Sequence, residues 1–197
     1  MRSTHLQETD RFVVSQKTTL LTNEYVVRSA DADGTTGEVV AFARQTPLAL
    51  AEEVTLYTDE TRRWVLCTFE ADQAADVGEV YTVRDEDGRP IGSFHEKILT
   101  SLLRSTWVLD QPEQARLTGR ERNAALALLR RVWDFLPGTD LVPFAWPRHF
   151  DFAAGEERWM AVERTFGLRD RYRVRITGAH LDRRLAIAQA VALDALA

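Results

Sequence analysis

Four arginines, Arg169, Arg171, Arg173 and Arg175, occupy every second position of one short stretch near the C-terminal end. In an extended chain a period of two places all four on one face, with Tyr172, Val174 and Ile176 on the other. Planar guanidinium forks match the oxygens of phosphate, so one chemistry this pattern offers is anion binding. The same alternation also suits a solvated outer sheet face whose charges are neutralised by Glu157 and Glu163. Two further basic pairs stand apart. Arg130-Arg131 would complement the C-terminal dipole of a helix. Arg183-Arg184 would open one, where cations are disfavoured and require a local carboxylate or a bound anion.

Other candidates carry less. Asp31-Ala32-Asp33-Gly34 and Asp85-Glu86-Asp87-Gly88 resemble the start of a calcium loop. From Asp85 the twelfth place is Glu96, but Arg89 and Ile91 spoil the ligand set, so both read as hairpin turns. His5, His95, His149 and His180 have no metal-ligand spacing with one another or with Cys67. Cys67 alternates with Val65 and Phe69, which predicts a buried, inert thiol. Neither a glycine-rich phosphate loop nor a nucleophile elbow is present. The expectation is a protein without catalytic residues, metal or cofactor.

The elements that would position these residues are mostly strands. Segments 12–16, 25–27, 37–44, 53–57, 64–69, 80–85, 89–97, 101–110, 149–152, 158–166 and 171–177 are rich in β-branched and aromatic residues and separated by turn formers. Their spacing suggests a sandwich or barrel. An odd-length loop between 158–165 and 171–177 sets Val162 beside Val174 and Met160 beside Ile176 inside, with Glu163 beside Arg173 outside. Thr118 and Glu121 have capping-box spacing, and Ala125, Leu128, Leu129, Val132 and Leu136 follow at helical spacing. This predicts a helix over 118–136, ended by Pro137-Gly138.

The C-terminal stretch is the most informative. After Asp182, a plausible N-cap, residues 185–197 are apolar except Gln189 and Asp194. A helix apolar all round must be buried, and this one is too short to cross a bilayer. A sheet curled around it is the architecture that follows.

Composition bounds the rest. The chain has 197 residues, a net charge of −5 and a single cysteine. The charge argues against nucleic-acid binding. The polar stretch 1–10 reads as an N-terminal extension without signal-peptide character, ahead of one domain over 11–197. No segment is long and apolar enough for a membrane span. A cytoplasmic location is expected, peripheral at the membrane if lipid is the ligand. Lys17 and Lys97 are the only lysines among 25 basic residues, a bias suggesting a GC-rich bacterial genome.

Phe12-x-Val14-x-Gln16-Lys17 and Asn23-x-Tyr25-x-Val27 resemble the opening of LURP-one-related proteins. Tyr81-x-Val83-x-Asp85-x-x-Gly88-x-x-Ile91-Gly92, then Ser101-Leu102 and Trp107-x-Leu109-Asp110, follow in order. Tyr172-x-Val174-x-Ile176 and Leu181-Asp182-Arg183 complete the pattern. The resemblance implies the tubby C-terminal-like fold shared with phospholipid scramblases: a closed antiparallel β-barrel of about twelve strands around a C-terminal helix. Function in that superfamily ranges from phosphoinositide binding to calcium-dependent lipid scrambling, so fold alone does not transfer it. Scramblases carry an acidic calcium-binding stretch before the last helix, whereas residues 176–182 hold one carboxylate here. The lysine-rich lipid contacts of tubby domains have no match.

The leading expectation is a non-enzymatic surface-binding domain for anionic phospholipid head groups or phosphorylated ligands, through Arg169, Arg171, Arg173, Arg175, Arg183 and Arg184. The alternative is a protein-interaction scaffold that never touches lipid. A lipid binder should concentrate positive charge, and a scaffold should expose an apolar patch.

Overall fold

The computed structural model describes residues 2–18, 22–45, 53–72, 79–97, 106–122, 149–165 and 171–196. Twelve strands close into one antiparallel barrel: β1 (Arg11–Thr18), β2 (Asn23–Ala30), β3 (Thr36–Gln45), β4 (Glu53–Tyr57), β5 (Val65–Asp72), β6 (Val80–Asp85), β7 (Pro90–Glu96), β8 (Thr106–Asp110), β9 (Leu117–Glu121), β10 (His149–Ala154), β11 (Glu157–Thr165) and β12 (Arg171–Ile176). Each strand neighbours the next in sequence, and β12 returns to pair with β1. Closure removes the free edges that an open sheet would leave. A short helix α1 (Arg2–Gln7) precedes the barrel and α2 (Arg183–Ala195) ends it.

α2 is the axis of the barrel. Residues 185–193 are all buried, Gln189 included. Side chains at every helical angle therefore meet an inward-facing strand residue, among them Phe12, Phe69, Phe94 and Phe152. The alanines of α2 let the wall come close. Gly92 on β7 serves the same end, because a Cβ there would lie 2.5 Å from Leu185 Cδ2 and 2.6 Å from the Asp110 carbonyl oxygen. Along β12 the expected alternation is complete: Tyr172, Val174 and Ile176 are buried, while Arg171, Arg173 and Arg175 are exposed. The β11–β12 register pairs Met160 with Ile176, Val162 with Val174 and Glu163 with Arg173, as the loop parity requires.

One expectation is corrected. Thr118 and Glu121 do not cap a helix; they lie in β9, where Thr118 faces Val108 and Glu121 faces Phe150 across the ladders. Leu117, Gly119 and Glu121 are the buried set, and a Cβ on Gly119 would strike the Phe152 ring at 2.4 Å. Strand pairing on both sides outweighs the local capping signal. The rest of that proposed helix, residues 123–136, lies outside the described residues, as do Arg130-Arg131, Arg169 and the 101–105 part of the strand expected over 101–110.

The N-terminal stretch is also more structured than its polarity suggests. α1 buries Leu6 in the core, and Gln7 reaches α2: its Nε2 donates to Asp182 (2.9 Å) and its Oε1 accepts from the Arg183 backbone N–H (3.1 Å).

The buried helix generates a paired prediction. Val191→Asp should yield no soluble folded protein, because an unpaired buried carboxylate costs several kcal/mol. Gln189 is fully buried, and among the described residues neither end of its amide has a hydrogen-bond partner. Gln189→Met should therefore stabilise the fold by about 1 kcal/mol, read as a rise in the denaturation midpoint. Unchanged stability in both variants would show that α2 is not the packed axis.

Candidate functional site

The arginine face is built by three adjacent strands. On the outside of the barrel Arg171, Arg173 and Arg175 of β12 oppose Ser15, Val13 and Arg11 of β1, in that order. Val13 in turn faces Arg28 of β2. Arg11 and Arg175 are thus directly opposed like charges, an arrangement that destabilises a sheet unless something neutralises it. On the other flank Arg175 faces Ala161, and Arg173 faces Glu163.

Glu163 does not settle the balance. Its carboxylate lies 3.0 Å from Arg122 Nη2, and the same Arg122 forms a forked pair with Asp151 at 2.9 Å through both Nε and Nη2. The expected neutraliser of Arg173 is therefore engaged by another arginine. Hydrogen bonds from Arg122 hold the Asp151 carboxyl below the usual range, against the opposing effect of burial. Arg158 also approaches Asp151, at 3.4 Å. Among the described residues Arg11, Arg173 and Arg175 have no ion-pair partner, whereas Arg171 has an interaction of its own.

A concavity of about 200 Å³ lies at this face, lined by Arg11, Arg173 and Arg175 and by Asp31, Asp33 and Glu163. The β2–β3 turn forms its lip. Gly34, at φ +89°, brings the turn backbone close to the Arg173 guanidinium, with Nη2 3.8 Å from where a Cβ would sit. Asp33 is turned back into its own loop: Oδ1 accepts the Thr35 backbone N–H at 2.8 Å, and this bond holds its carboxyl below the ordinary value. Val13 lies on the outer face yet is only 7% exposed. The turn and the aliphatic stems of the arginines shield it while their charged heads stay in water.

Arg183 and Arg184 belong to a different place. Arg183 is 4% exposed. Its Nη1 donates to the carbonyls of Gly178 (3.0 Å) and Leu181 (2.6 Å), its Nε to Thr9 (3.1 Å), and its Nη2 to Asp10 (2.6 Å). Arg184 pairs with Asp182 at 2.8 Å and Glu86 at 3.1 Å. These are the carboxylates that a cation pair in a first helical turn requires. Asp182 is the N-cap, accepting the Arg184 backbone N–H at 2.8 Å. Gln111 clasps the same corner, accepting from the Asp182 N–H and donating to the His180 carbonyl, each at 2.8 Å. The two arginines fasten the helix start to the wall, and the fold leaves Arg183 no fork for an external anion.

Comparison with protein families places the chain. The LURP-one-related family model matches residues 39–194. The chain belongs to the LURP-one-related family. Comparison with curated proteins finds no match. The family match spans β12 and α2 as far as Asp194 but begins within β3, after Arg11, so this LURP-one-related barrel closes with a strand the match does not include.

The remaining candidates resolve as structure. Asp85 Oδ1 accepts from the N–H groups of Asp87 (3.0 Å) and Arg89 (2.8 Å), which makes its loop a side-chain-capped turn. Among the described residues no three His, Cys, Asp or Glu side chains cluster as a metal site. Cys67 is buried, and burial pushes its thiol up to about 12. Arg11 was missed by the sequence reading although its signal was present: Arg11, Val13, Ser15 and Lys17 share the parity opposite to Phe12 and Val14.

Two predictions follow from the helix-start clamp. Arg183→Met should cost about 3 kcal/mol, since several buried carbonyls lose their donor, and Arg183→Lys should recover little because one ammonium cannot reach all four acceptors. Denaturant titration reads both. The second concerns acid. Burial raises the Asp182 carboxyl, but the bonds from Arg184 and Gln7 outweigh it and leave the pKa lowered. A depressed carboxylate adds stability that is complete above its unfolded pKa and lost as pH falls through the folded one. The melting temperature should hold from neutrality to about pH 5 and fall below about pH 4. Asp182→Asn should be less stable at pH 7 and lose less on acidification.

Proposed function

We propose that this LURP-one-related domain is a non-enzymatic binding protein whose arginine face takes phosphate groups, carried by an anionic phospholipid head group or by a soluble phosphorylated ligand. The observation that carries this reading is the opposition of Arg11 and Arg175 across the β1–β12 ladder, with Arg173 beside them and, among the described residues, no carboxylate in an ion pair with any of the three, although Asp31, Asp33 and Glu163 line the same concavity. Such a cluster is costly in the free protein and is relieved by an anion that accepts from several forks at once. The concavity they line suits a single phosphate group in size. The barrel interior, meanwhile, is filled by α2, so the usual home of small-molecule catalysis is taken up by the protein itself. The raised pKa values of Tyr25, Tyr81 and Cys67 are led by burial in that filled interior.

The scaffold reading has an observation of its own. Trp64 is 70% exposed and Val65 is 37% exposed, far round the wall from the arginines. An exposed aromatic beside an exposed aliphatic suits a protein partner.

The test uses Arg11→Gln, Arg173→Gln and Arg175→Gln together, since glutamine keeps part of the stem over Val13 while removing the charge. Wild-type protein should bind phosphatidylserine or phosphoinositide vesicles, or inositol phosphate in calorimetry, with affinity falling steeply as salt rises. The triple variant should lose at least about tenfold in affinity, while its melting temperature stays equal or rises as repulsion is relieved. Vesicle binding without inositol phosphate binding would identify a lipid surface, and the reverse a soluble ligand. A wild-type protein indifferent to both at low salt would refute the phosphate reading.

A further inference from the structure

The barrel wall is not equally knit all round. Each other pair of neighbouring strands shares at least four register pairs, whereas β3 and β4 share two, Phe42 with Tyr57 and Ala43 with Leu56. β3 has ten residues and β4 five, and Tyr57, the last residue of β4, lies opposite Phe42, so the first six residues of β3 run beyond it. After Tyr57 the chain leaves β3 for the β4–β5 turn. Among the described residues, positions 36–41 of β3 then have register partners on β2 alone, among them Ala30 with Thr36 and Arg28 with Val39, and the Gly37 carbonyl also accepts from Arg28 Nη1 at 3.3 Å. Among the described residues no other backbone group bonds to this edge. A strand edge with free donors and acceptors is a template for another strand.

The opening is a groove rather than a crack. It encloses about 720 Å³, with Val39 and Val40 on one bank, Val65 and Leu66 on the other, and Leu6 of α1 at its head. It continues past Thr58, Val65 and Glu86 into a second hollow of about 800 Å³ beside Trp64. The turn that presents Trp64 is firmly built. Thr58 N–H bonds the Trp64 carbonyl at 2.9 Å, and Asp59 Oδ1 accepts the Thr61 N–H at 2.8 Å. Trp64 is thus held outward by an ordered turn. Its exposure is a feature of the surface and not of a loose loop.

Charge narrows the occupant. Glu38 lines the groove, is exposed, and has no ion-pair partner among the described residues. Glu86 lies at the junction of the two hollows, with Arg184 on one side of it. The turn adds Asp59 and Glu60. Arg63 is the basic residue lining the second hollow.

We infer that residues 36–41 of β3 and the adjoining groove form a docking site for an extended peptide of alternating apolar and basic residues, which adds a strand at the β3–β4 opening. Its main chain bonds the free edge of β3. Its apolar side chains enter the groove between Val40 and Val65, and a lysine or arginine meets Glu38. Trp64 covers the outer side. Backbone pairing provides the affinity and the alternate pockets the selectivity, as strand addition does elsewhere. This site is separate from the arginine face: β2 stands between β1 and β3, and none of its residues carries the proposed phosphate contact.

The experiment is a fluorescence-anisotropy comparison of ten-residue synthetic peptides with alternating valine and lysine, alternating valine and glutamate, and scrambled order. The valine–lysine peptide should bind wild-type protein at least tenfold more tightly than the other two. N-methylation of alternate peptide amides should abolish binding in one of the two phases and spare it in the other, the signature of one bonded edge. Glu38→Lys should reverse the preference toward the glutamate peptide, and Trp64→Ala should weaken binding at least fivefold. Both residues are exposed, and melting curves confirm that the variants fold. The arginine triple variant should bind the peptide as wild type does, which separates this proposal from the phosphate reading. Equal binding of all three peptides, or insensitivity to N-methylation or to Glu38→Lys, overturns it. So does a concentration-dependent dimer broken by Trp64→Ala in place of peptide binding, since the edge would then belong to a second copy. Vesicle binding lost in Trp64→Ala without peptide binding would likewise replace the peptide with a lipid surface.

Discussion

Everything in this protein follows from a helix that has no side to show to water. Residues 185–193 of α2 are buried at every angle, so a wall must surround them, and a wall of strands that surrounds a helix must close. Closure fixes the inward parity of each strand and therefore the outward parity as well. The exposed arginines of β12 are outside because Tyr172, Val174 and Ile176 are needed inside. The helix also has to begin somewhere, and its first turn lies where the barrel interior meets solvent. That junction is where polar groups gather. Arg183, Arg184, Asp182, Gln7, Gln111, Asp10 and Glu86 satisfy one another and the carbonyls preceding the helix. Such a network stabilises only when every member has a partner.

The sequence displayed the strongly periodic parts of this design. The all-round apolar C-terminal stretch, the strand alternation and the parity of the β11–β12 hairpin were legible because each rests on spacing within one segment or across one loop. What spacing cannot express was not legible. Thr118 and Glu121 carry a sound local signal for a helix start, but the pairing of β9 with β8 and β10, and the fit of Gly119 under Phe152, outweigh it. The engagement of Glu163 by Arg122 joins residues distant in sequence, as does the Arg183 bond to Asp10. Sequence could suggest that charges near the arginine face would balance. Only the three-dimensional arrangement distinguishes Arg122, which takes the carboxylates, from Arg173, which does not. Likewise the shortness of β4 was visible, but not its consequence, since a length mismatch becomes an opening only when the neighbouring strand runs on.

A barrel filled by its own helix leaves the wall as the surface open to a ligand, and here the wall has two unlike regions. At one, strands pair fully and the surface problem is electrostatic: Arg11 and Arg175 stand opposite each other, while Glu163 is engaged by Arg122 and Asp33 by its own turn. At the other, β3 runs beyond β4, and among the described residues no backbone group bonds that edge, above an apolar floor and an acidic lip. The two make opposite demands. An anion relieves the first and is repelled by Glu38 at the second, while a basic strand completes the second and is repelled by the arginines at the first. Under the two proposals electrostatics would direct each class of ligand to one region without requiring either site to be deep. Because β2 spans the interval between them, a ligand on one face meets the same strand that borders the other. β2 is the most direct link between the two regions, and its ladder to β3 shifts register at Arg28, beside Val13 of the arginine face and opposite Val39 of the groove.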